Sequence, residues 1–208
     1  VPCMTLPLPY PWANQARPLA LDGPVPAAVV REVAGWLTAR SPQWTLVVRA
    51  EQPAPPGFLP WAVLPALVLR PPLVDVPPPD GVQVGPAASP AEFLAAYGVE
   101  LAPLVTELHF ASPYHRHLVA RVGGEPAGCA RVRFTGGTAY VSAVTVREPY
   151  RRKGLGAALS AAASRIGAAE ADVVWLHATN ESRPIYERLG YEYIDDHVLL
   201  VRQANSAK

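Results

Sequence analysis

The chain has 208 residues, half of them apolar, and its 18 Lys and Arg against 17 Asp and Glu leave a formal charge of +1. That length allows one large domain or a domain with a smaller lobe, and the balance of apolar and charged residues excludes a disordered chain. The near-neutral charge argues against a broad nucleic-acid-binding face, so any basic function must be local.

The two cysteines, Cys3 and Cys129, form no disulfide framework or CxxC knuckle, no metal site is expected, and a reducing cytoplasm suits them. "FLPWAVLPALVL", Phe58 to Leu69, is the longest apolar run, 12 residues with two internal prolines. A membrane helix needs about 20, so the run is expected to be a buried or edge strand. No basic-then-apolar leader precedes it, and the opening on Val rather than Met fits a trimmed start.

In chain order, Pro26 opens an expected helix whose Val29, Val30, Val33, Trp36 and Leu37 recur at helical spacing. "WTLVVRA", Trp44 to Ala50, predicts a strand, and Pro56-Gly57 a turn. Trp12, Trp36, Trp44 and Trp61 are expected as core anchors. "RPPLVDVPPPDG", Arg70 to Gly81, can form neither helix nor central strand, because proline lacks an amide hydrogen and restricts the residue before it. The expected organisation is a proline-rich accessory lobe over residues 1–82 and a second domain over 83–208.

Beyond that boundary, Ser89-Pro90-Ala91-Glu92 is a capping box with proline at the first helical position, and Gly98 ends the helix "PAEFLAAY". A second helix is expected over "LAPLVTELHF", with Pro103 in its first turn. The strands "HLVARV" (117–122), "AGCARVRF" (127–134) and "TAYVSAVTV" (138–146) follow, separated at hairpin distance by Gly123-Gly124 and Gly136-Gly137. An antiparallel meander is the expected result. Leu155, Leu159, Ala162 and Ile166 then mark one face of a helix that Gly167 loosens at its end, and "DVVWLHA" (172–178) predicts a buried parallel strand. Strand, helix and strand make a βαβ crossover.

The turn into that helix reads "REPYRRKGLGAAL", residues 147–159. A helix start exposes about four unpaired amide hydrogens and roughly half a positive charge, which favour an anion. Gly154 and Gly156 leave those amides bare, and Arg151, Arg152 and Lys153 add mobile charge, so a pyrophosphate is the expected guest. A Walker A loop would need Gly-Lys-Ser/Thr, whereas Lys153 precedes Gly154 here. A Rossmann turn would need an acidic residue closing the next strand, and that strand ends "HATN". An ordinary helix start with surface arginines stays open, although it leaves the paired glycines without a reason.

Arg151-x-x-Gly154-x-Gly156 at the junction of a meander and a βαβ unit, followed by "ATNESRPIYERLGY", resembles the GNAT superfamily of acetyl-CoA-dependent N-acetyltransferases over residues 83–203. The resemblance implies an α/β (mixed α+β) GNAT fold: a mostly antiparallel sheet with a central splayed parallel pair and a cofactor-binding βαβ crossover, beside a small N-terminal α/β lobe. It implies that the backbone of Val144 and Val146 pairs with the pantetheine arm of CoA. The amides of Arg152, Lys153, Gly154, Leu155, Gly156 and Ala157 would cradle the pyrophosphate, with the Arg151 and Lys153 side chains beside it. Asn180, Ser182 and Arg183 would contact the cofactor from the far side of the gap. Tyr186 matches the family's general acid, and an amide near Val144 would polarise the thioester carbonyl.

The chain departs from the pattern in places. The family often places an asparagine one residue farther ahead of the tyrosine than Asn180 stands, and Pro184 lies between the two. Where many members carry a glutamate before the glycine turn, "VSAVTV" offers only Ser142 and Thr145. Ordered water, His177, His109 and His115 are the candidate acceptors of the amine's proton, with Glu107 an outside one.

The expected activity is transfer of an acetyl group from acetyl-CoA to a primary amine of a small molecule or peptide, in the cytoplasm, with neither nucleic acid nor membrane as partner. The alternative is a non-catalytic acyl-CoA-binding sensor or interaction protein. The N-terminal lobe, as a degenerate half of the same fold without a glycine turn, would shape the acceptor groove or form a homodimer.

Overall fold

The computed structural model describes residues 1–5, 10–19 and 22–203. The chain divides into two compact units, one of Val1–Pro65 with Asp195–Lys208 and a larger one of Ala66–Ile194. In the smaller unit, β1 (Cys3–Met4) pairs antiparallel with β2 (Gln15–Ala16), and β2 runs parallel to β3 (Thr45–Arg49). Helix α1 (Ala27–Thr38) buries Val33 and Leu37, four residues apart and so on one face. They join Ala16, Val25, Trp44, Leu46, Val48 and Phe58 in one apolar cluster. Of the four tryptophans expected as anchors, Trp44 is buried. Trp36 and Trp61 are exposed, and Trp12 is half-buried against Tyr10 with ring centroids 5.5 Å apart. Arg40 lies 4.1 Å over the Trp36 ring, which a cation holds at the surface without burial.

Strand β4 (Phe58–Leu69) begins in the smaller unit and ends in the larger. The larger unit continues with β5 (Val82–Pro86), α2 (Pro90–Tyr97), a 3-10 turn (Val99–Leu104), α3 (Glu107–Ala111), β6 (His115–Val122), β7 (Glu125–Thr135) and β8 (Thr138–Val146). After a 3-10 turn at Glu148–Tyr150 come α4 (Leu155–Glu170), β9 (Val173–His177), α5 (Arg183–Arg188) and β10 (Tyr191–Arg202). β10 pairs antiparallel with β3 from His197↔Arg49 to Val201↔Thr45 in the smaller unit. No helix among the described residues is long and apolar enough to cross a membrane.

The expected meander is present, with β6, β7 and β8 pairing antiparallel in succession, and β5, which the sequence did not single out, adds a fourth strand against β6. Both hairpins turn through glycine pairs with positive φ at each residue, 58° and 86° at Gly123-Gly124 and 54° and 75° at Gly136-Gly137. That is the geometry that matches the twist of the strands. β8 then pairs parallel with β9, which is antiparallel to the end of β4. The single helix expected over residues 101–110 is instead the 3-10 turn followed by α3. Thr106 accounts for the break. Its side chain accepts from the His109 amide and His109 Nδ1 accepts from the Thr106 amide at 3.3 Å, so a new helix starts there. Strand β10 had no counterpart in the sequence reading.

Alternation sorts the meander into two faces. Leu118, Ala120, Ala130, Val132, Ala139 and Val141 face α4 and share its core with Leu155, Leu159, Ala161 and Ala163. Rather than loosening the helix end, Gly167 is buried, and a Cβ on it would lie 3.1 Å from Ala139 and Val174. Phe93 of α2 covers the other face and meets His117 edge-on at 5.1 Å.

One irregularity breaks the meander. Cys129 pairs with Thr145 and Arg131 with Ser142, so Ala130 opposes both Ala143 and Val144. Ala143 takes a left-handed φ of 54°, which costs a non-glycine residue about 1–2 kcal/mol. The bulge presses β8 onto Gly128, where a Cβ would sit 2.7 Å from the Thr145 carbonyl oxygen and 2.9 Å from Leu159 Cδ1. Gly128→Ala is expected to destabilise the fold by about 1–3 kcal/mol in urea unfolding. An unchanged midpoint would show that the bulge yields freely.

Candidate active site

Beyond the bulge, the last pair between β8 and β9 is Val141↔Leu176. Val144 and Val146 therefore lie past the point where the two parallel strands part, and Val146 pairs only toward β7, with Gly128. The chain then turns through Glu148–Tyr150 and enters α4. Arg152 at φ 62° and Gly154 at φ 84° are both left-handed, conformations of the kind from which a concavity of successive amides is built.

The hydrogen bonds of this turn stop and restart around that concavity. The Tyr150 amide donates to the Arg147 carbonyl at 2.9 Å and the Arg151 amide to the Glu148 carbonyl at 3.2 Å. The next engaged amide is that of Ala158, which donates to the Gly154 carbonyl at 3.1 Å. Among the described residues, no acceptor serves the amides of residues 152–157, and no side chain caps α4. A Cβ on Gly156 would meet Val146 Cγ2 only at 3.8 Å, ordinary contact, so the protein itself does not require glycine there. At Gly154 a Cβ would crowd Pro79 Cγ at 3.2 Å and the φ is left-handed, so the chain requires glycine on its own account. A bare row of donors beside the positive end of a 16-residue helix fits the diphosphate of a CoA ester.

The cationic side chains divide their work. Arg151 Nε donates to the Val146 carbonyl at 3.0 Å, tying the turn to the strand end, and Lys153 Nζ donates to the Pro149 carbonyl at 3.1 Å. Arg152 is exposed. On the far side, Ser182 is locked in reciprocal hydrogen bonds with Thr179, among them Thr179 N to Ser182 Oγ at 2.9 Å. Arg183 pairs with Glu187 at 2.6 Å and lies 4.8 Å over the Tyr193 ring. Asn180 is exposed, with its side chain available to a ligand.

Tyr186, on α5, is 7% exposed and packs edge-on to Tyr191 at 5.8 Å. Burial pushes its phenol above the ordinary tyrosine value, an effect that the neighbouring Ser160 of α4 reduces. The hydroxyl therefore carries its proton throughout the neutral range.

The candidate bases lie on other elements. His177 Nδ1 is 3.1 Å from the Tyr140 hydroxyl, and Glu107 is exposed on α3. Burial and the nearby Arg131 guanidinium hold His109 below the ordinary histidine value and push His115 and His117 down to about 4. Among the described residues no group of three or more His, Cys, Asp or Glu could hold a metal ion. Arg131, His117 and Tyr140 escaped the sequence reading. Their signal was the alternation of Arg131 with Arg133 in β7 and of His115 with His117 in β6.

The family model for an acetyltransferase (GNAT) domain matches residues 113–193, a span that holds the bulge, the glycine turn and Tyr186. Over 101 residues the chain is 33% identical to a Bacillus subtilis (strain 168) protein whose name gives it, provisionally, as an acetyltransferase, covering 44% of this chain and 69% of that protein. The chain belongs to the GNAT acetyltransferase family. Acyl transfer is the chemistry of that family, and acyl-CoA is what its members generally bind.

Solved GNAT structures share the fold. A GCN5-related N-acetyltransferase from Kribbella flavida superposes with a TM-score of 0.71 at 21% identity, covering 93% of this chain and 82% of that one. One from Sphaerobacter thermophilus gives 0.58 at 21% identity, covering 85% and 67%.

The depressed histidines make the GNAT fold sensitive to acid. Their folded values near 4 lie below the 6.5 of free histidine, so the unfolded chain binds more protons between those limits. The stability they allow above pH 6.5 is lost as the pH falls through 4. Replacing His115 and His117 with glutamine should flatten the plot of unfolding free energy against pH by up to about 1.4 kcal/mol per pH unit per histidine. Parallel plots for wild type and variant, from urea titrations between pH 4.5 and 6.5, would contradict it.

Proposed function

We propose that the chain is an acetyl-CoA-dependent N-acetyltransferase that acetylates a primary amine of a small molecule or peptide by direct attack in a ternary complex. The observation that carries the proposal is the run of unengaged amides from Arg152 to Ala157 beside the end of β8 that has parted from β9. Bound acetyl-CoA supplies an acyl thioester, already activated toward a nitrogen nucleophile.

The chain supplies position and charge. Amides 152–157 hold the diphosphate, with Arg152 and Lys153 adding to the field, while Arg151 fixes the strand end through the Val146 carbonyl. The strand end at Val144 and Val146 orients the amide-bearing arm through the backbone groups that Arg151 does not occupy. The Val144 amide, set by the bulge, donates to the acyl oxygen as negative charge develops there. Asn180 and Arg183 approach from the far side. Tyr186, protonated throughout the neutral range, donates its proton to the departing sulfur, whose basicity the same burial raises, and recovers a proton as the attacking nitrogen sheds its own.

His115 and His117, held near 4, take up no proton at neutral pH, so the amine enters as its free base, having lost its proton to water. The site residues fall in the larger unit, and the smaller unit serves as an accessory element. The free cysteines Cys3 and Cys129 support a reducing, cytoplasmic setting.

Calorimetric titration of the full chain with acetyl-CoA should give a dissociation constant below the millimolar range. Replacing Gly154 and Gly156 together with valine should abolish the heat. No binding by the wild type would end the proposal.

Tyr186→Phe should keep the affinity and lower kcat by about 10²-fold or more. Undiminished turnover would remove the tyrosine from the chemistry. kcat/KM should rise with pH toward the pKa of the acceptor amine, and a profile that instead follows a group on the enzyme near pH 6 to 7 would contradict entry as the free base.

A further inference from the structure

The face of the sheet turned away from α4 carries a concentration of cationic and imidazole groups that the chemistry above does not use. In the register of β6, β7 and β8, His117 stands opposite Arg131 and Arg131 opposite Ser142. One step along, His115 stands opposite Arg133 and Arg133 opposite Tyr140. Cross-strand partners share a face, so these side chains form two adjacent rows. The helical side closes over them: Phe110 of α3 stacks on His117 at 4.0 Å, and the rings of His109 and His115 are 5.2 Å apart.

Arg131 is half-buried in this layer, and no carboxylate pairs with it among the described residues. Its guanidinium donates to the Leu104 carbonyl at 3.3 Å and lies 3.5 Å from Ser142 Oγ. The side chains that perturb it, Tyr97, Arg133, Tyr140 and Cys129, include no carboxylate. Arg133 is exposed, 5.5 Å from the Tyr140 ring. Two further polar atoms here, His115 Nδ1 and His117 Nε2, are buried and lack a hydrogen-bond partner. A cation drawn out of water without a counter-ion is costly, and so is an unpartnered buried nitrogen. Sequences tolerate such arrangements where a ligand completes them.

The place of the cluster gives the ligand's identity. Ser142, which Arg131 faces, is the residue immediately before the left-handed Ala143 and the Val144 amide at the strand opening. Arg131 therefore faces the residue two positions ahead of the amide assigned above to the acyl oxygen. We propose that the amine acceptor is a small molecule bearing a carboxylate close to its amine, of the amino-acid class, and that Arg131 and Arg133 are the seat of that carboxylate. The proposal rests on the transferase reading for the acceptor's role, while the anion seat stands on the geometry of this face. The planar guanidinium fork suits a carboxylate in two-point contact, and the carboxylate supplies the counter-charge that the layer lacks.

The test uses the full chain and matched pairs: α-amino acids, β-alanine and γ-aminobutyrate, each against its own carboxamide. With acetyl-CoA and release of free CoA as readout, kcat/KM should favour the carboxylate of the preferred pair by about tenfold or more. The carboxamides of the α-amino acids are weaker bases and hence more neutral at a given pH, so for them the bias runs against that result. Arg131→Gln should remove the preference through KM, and Arg131→Lys should keep part of it. Carboxamides used as well as or better than the acids, or a preference that survives Arg131→Gln, would overturn the proposal.

A second readout is independent of turnover and of whether the glutamine variant folds. The imidazole resonances of His115 and His117 in the wild-type protein should shift saturably with the preferred amino acid and not with its amide. Saturable shifts without turnover on any amine would refute the transferase reading and leave the anion seat standing. Absence of any saturable shift with the carboxylates would refute the seat, whatever the protein acetylates.

Discussion

The site depends on six backbone amides that the chain leaves without an internal acceptor. Most turns of this size satisfy their own donors, because an unpaired amide away from water costs as much as a lost hydrogen bond. Here two left-handed residues, Arg152 and Gly154, aim the donors outward, and α4 adds the field of its N-terminus. Gly154 adopts its conformation without strain, whereas Arg152 pays about 1–2 kcal/mol for it. A local cost of that kind persists where the surroundings over-determine it. Arg151, fastened to the Val146 carbonyl, and Lys153, fastened to the Pro149 carbonyl, supply that constraint.

The second constraint is the parting of β8 from β9. The bulge at Ala143 and Val144 consumes an extra residue, the parallel pairing ends at Val141, and backbone groups are left at an interior opening rather than at a sheet edge. Gly128 makes the bulge possible, since any side chain there would strike the Thr145 carbonyl. The two constraints lie on one stretch of chain, from Ala143 to Ala157. That continuity lets a single ligand meet the strand opening and the helix start together. The opposite face works differently: its charge comes from side chains, Arg131 and Arg133, and its imidazoles stay neutral because they are buried, with Arg131 beside them adding to the effect.

Much of this was legible in the residues. The glycine pairs announced the hairpins, the change of period near Leu155 announced the crossover, and Gly154 with Gly156 marked the donor row. These signals are local, set by the backbone preferences of a few neighbouring residues. What escaped depends on partners distant in sequence. Trp36 and Trp61 looked like core residues, yet burial is decided by the partners an element finds. The break at Thr106 needed the reciprocal bond with His109, which spacing alone does not reveal. Gly167 looked like a loose helix end until Ala139 and Val174 were seen against it. Nothing in "AGCARVRF" singles out Arg131, and only the register of three strands places His117 and Ser142 on either side of it.

The most direct test of the central claim is a titration of ¹⁵N-labelled protein with CoA, followed by amide resonances. The backbone signals of residues 152–157 should move saturably, together with those of Val144 and Val146, and CoA lacking the diphosphate should leave the 152–157 group in place. Saturable binding that shifts other amides while those six stay still would contradict the account.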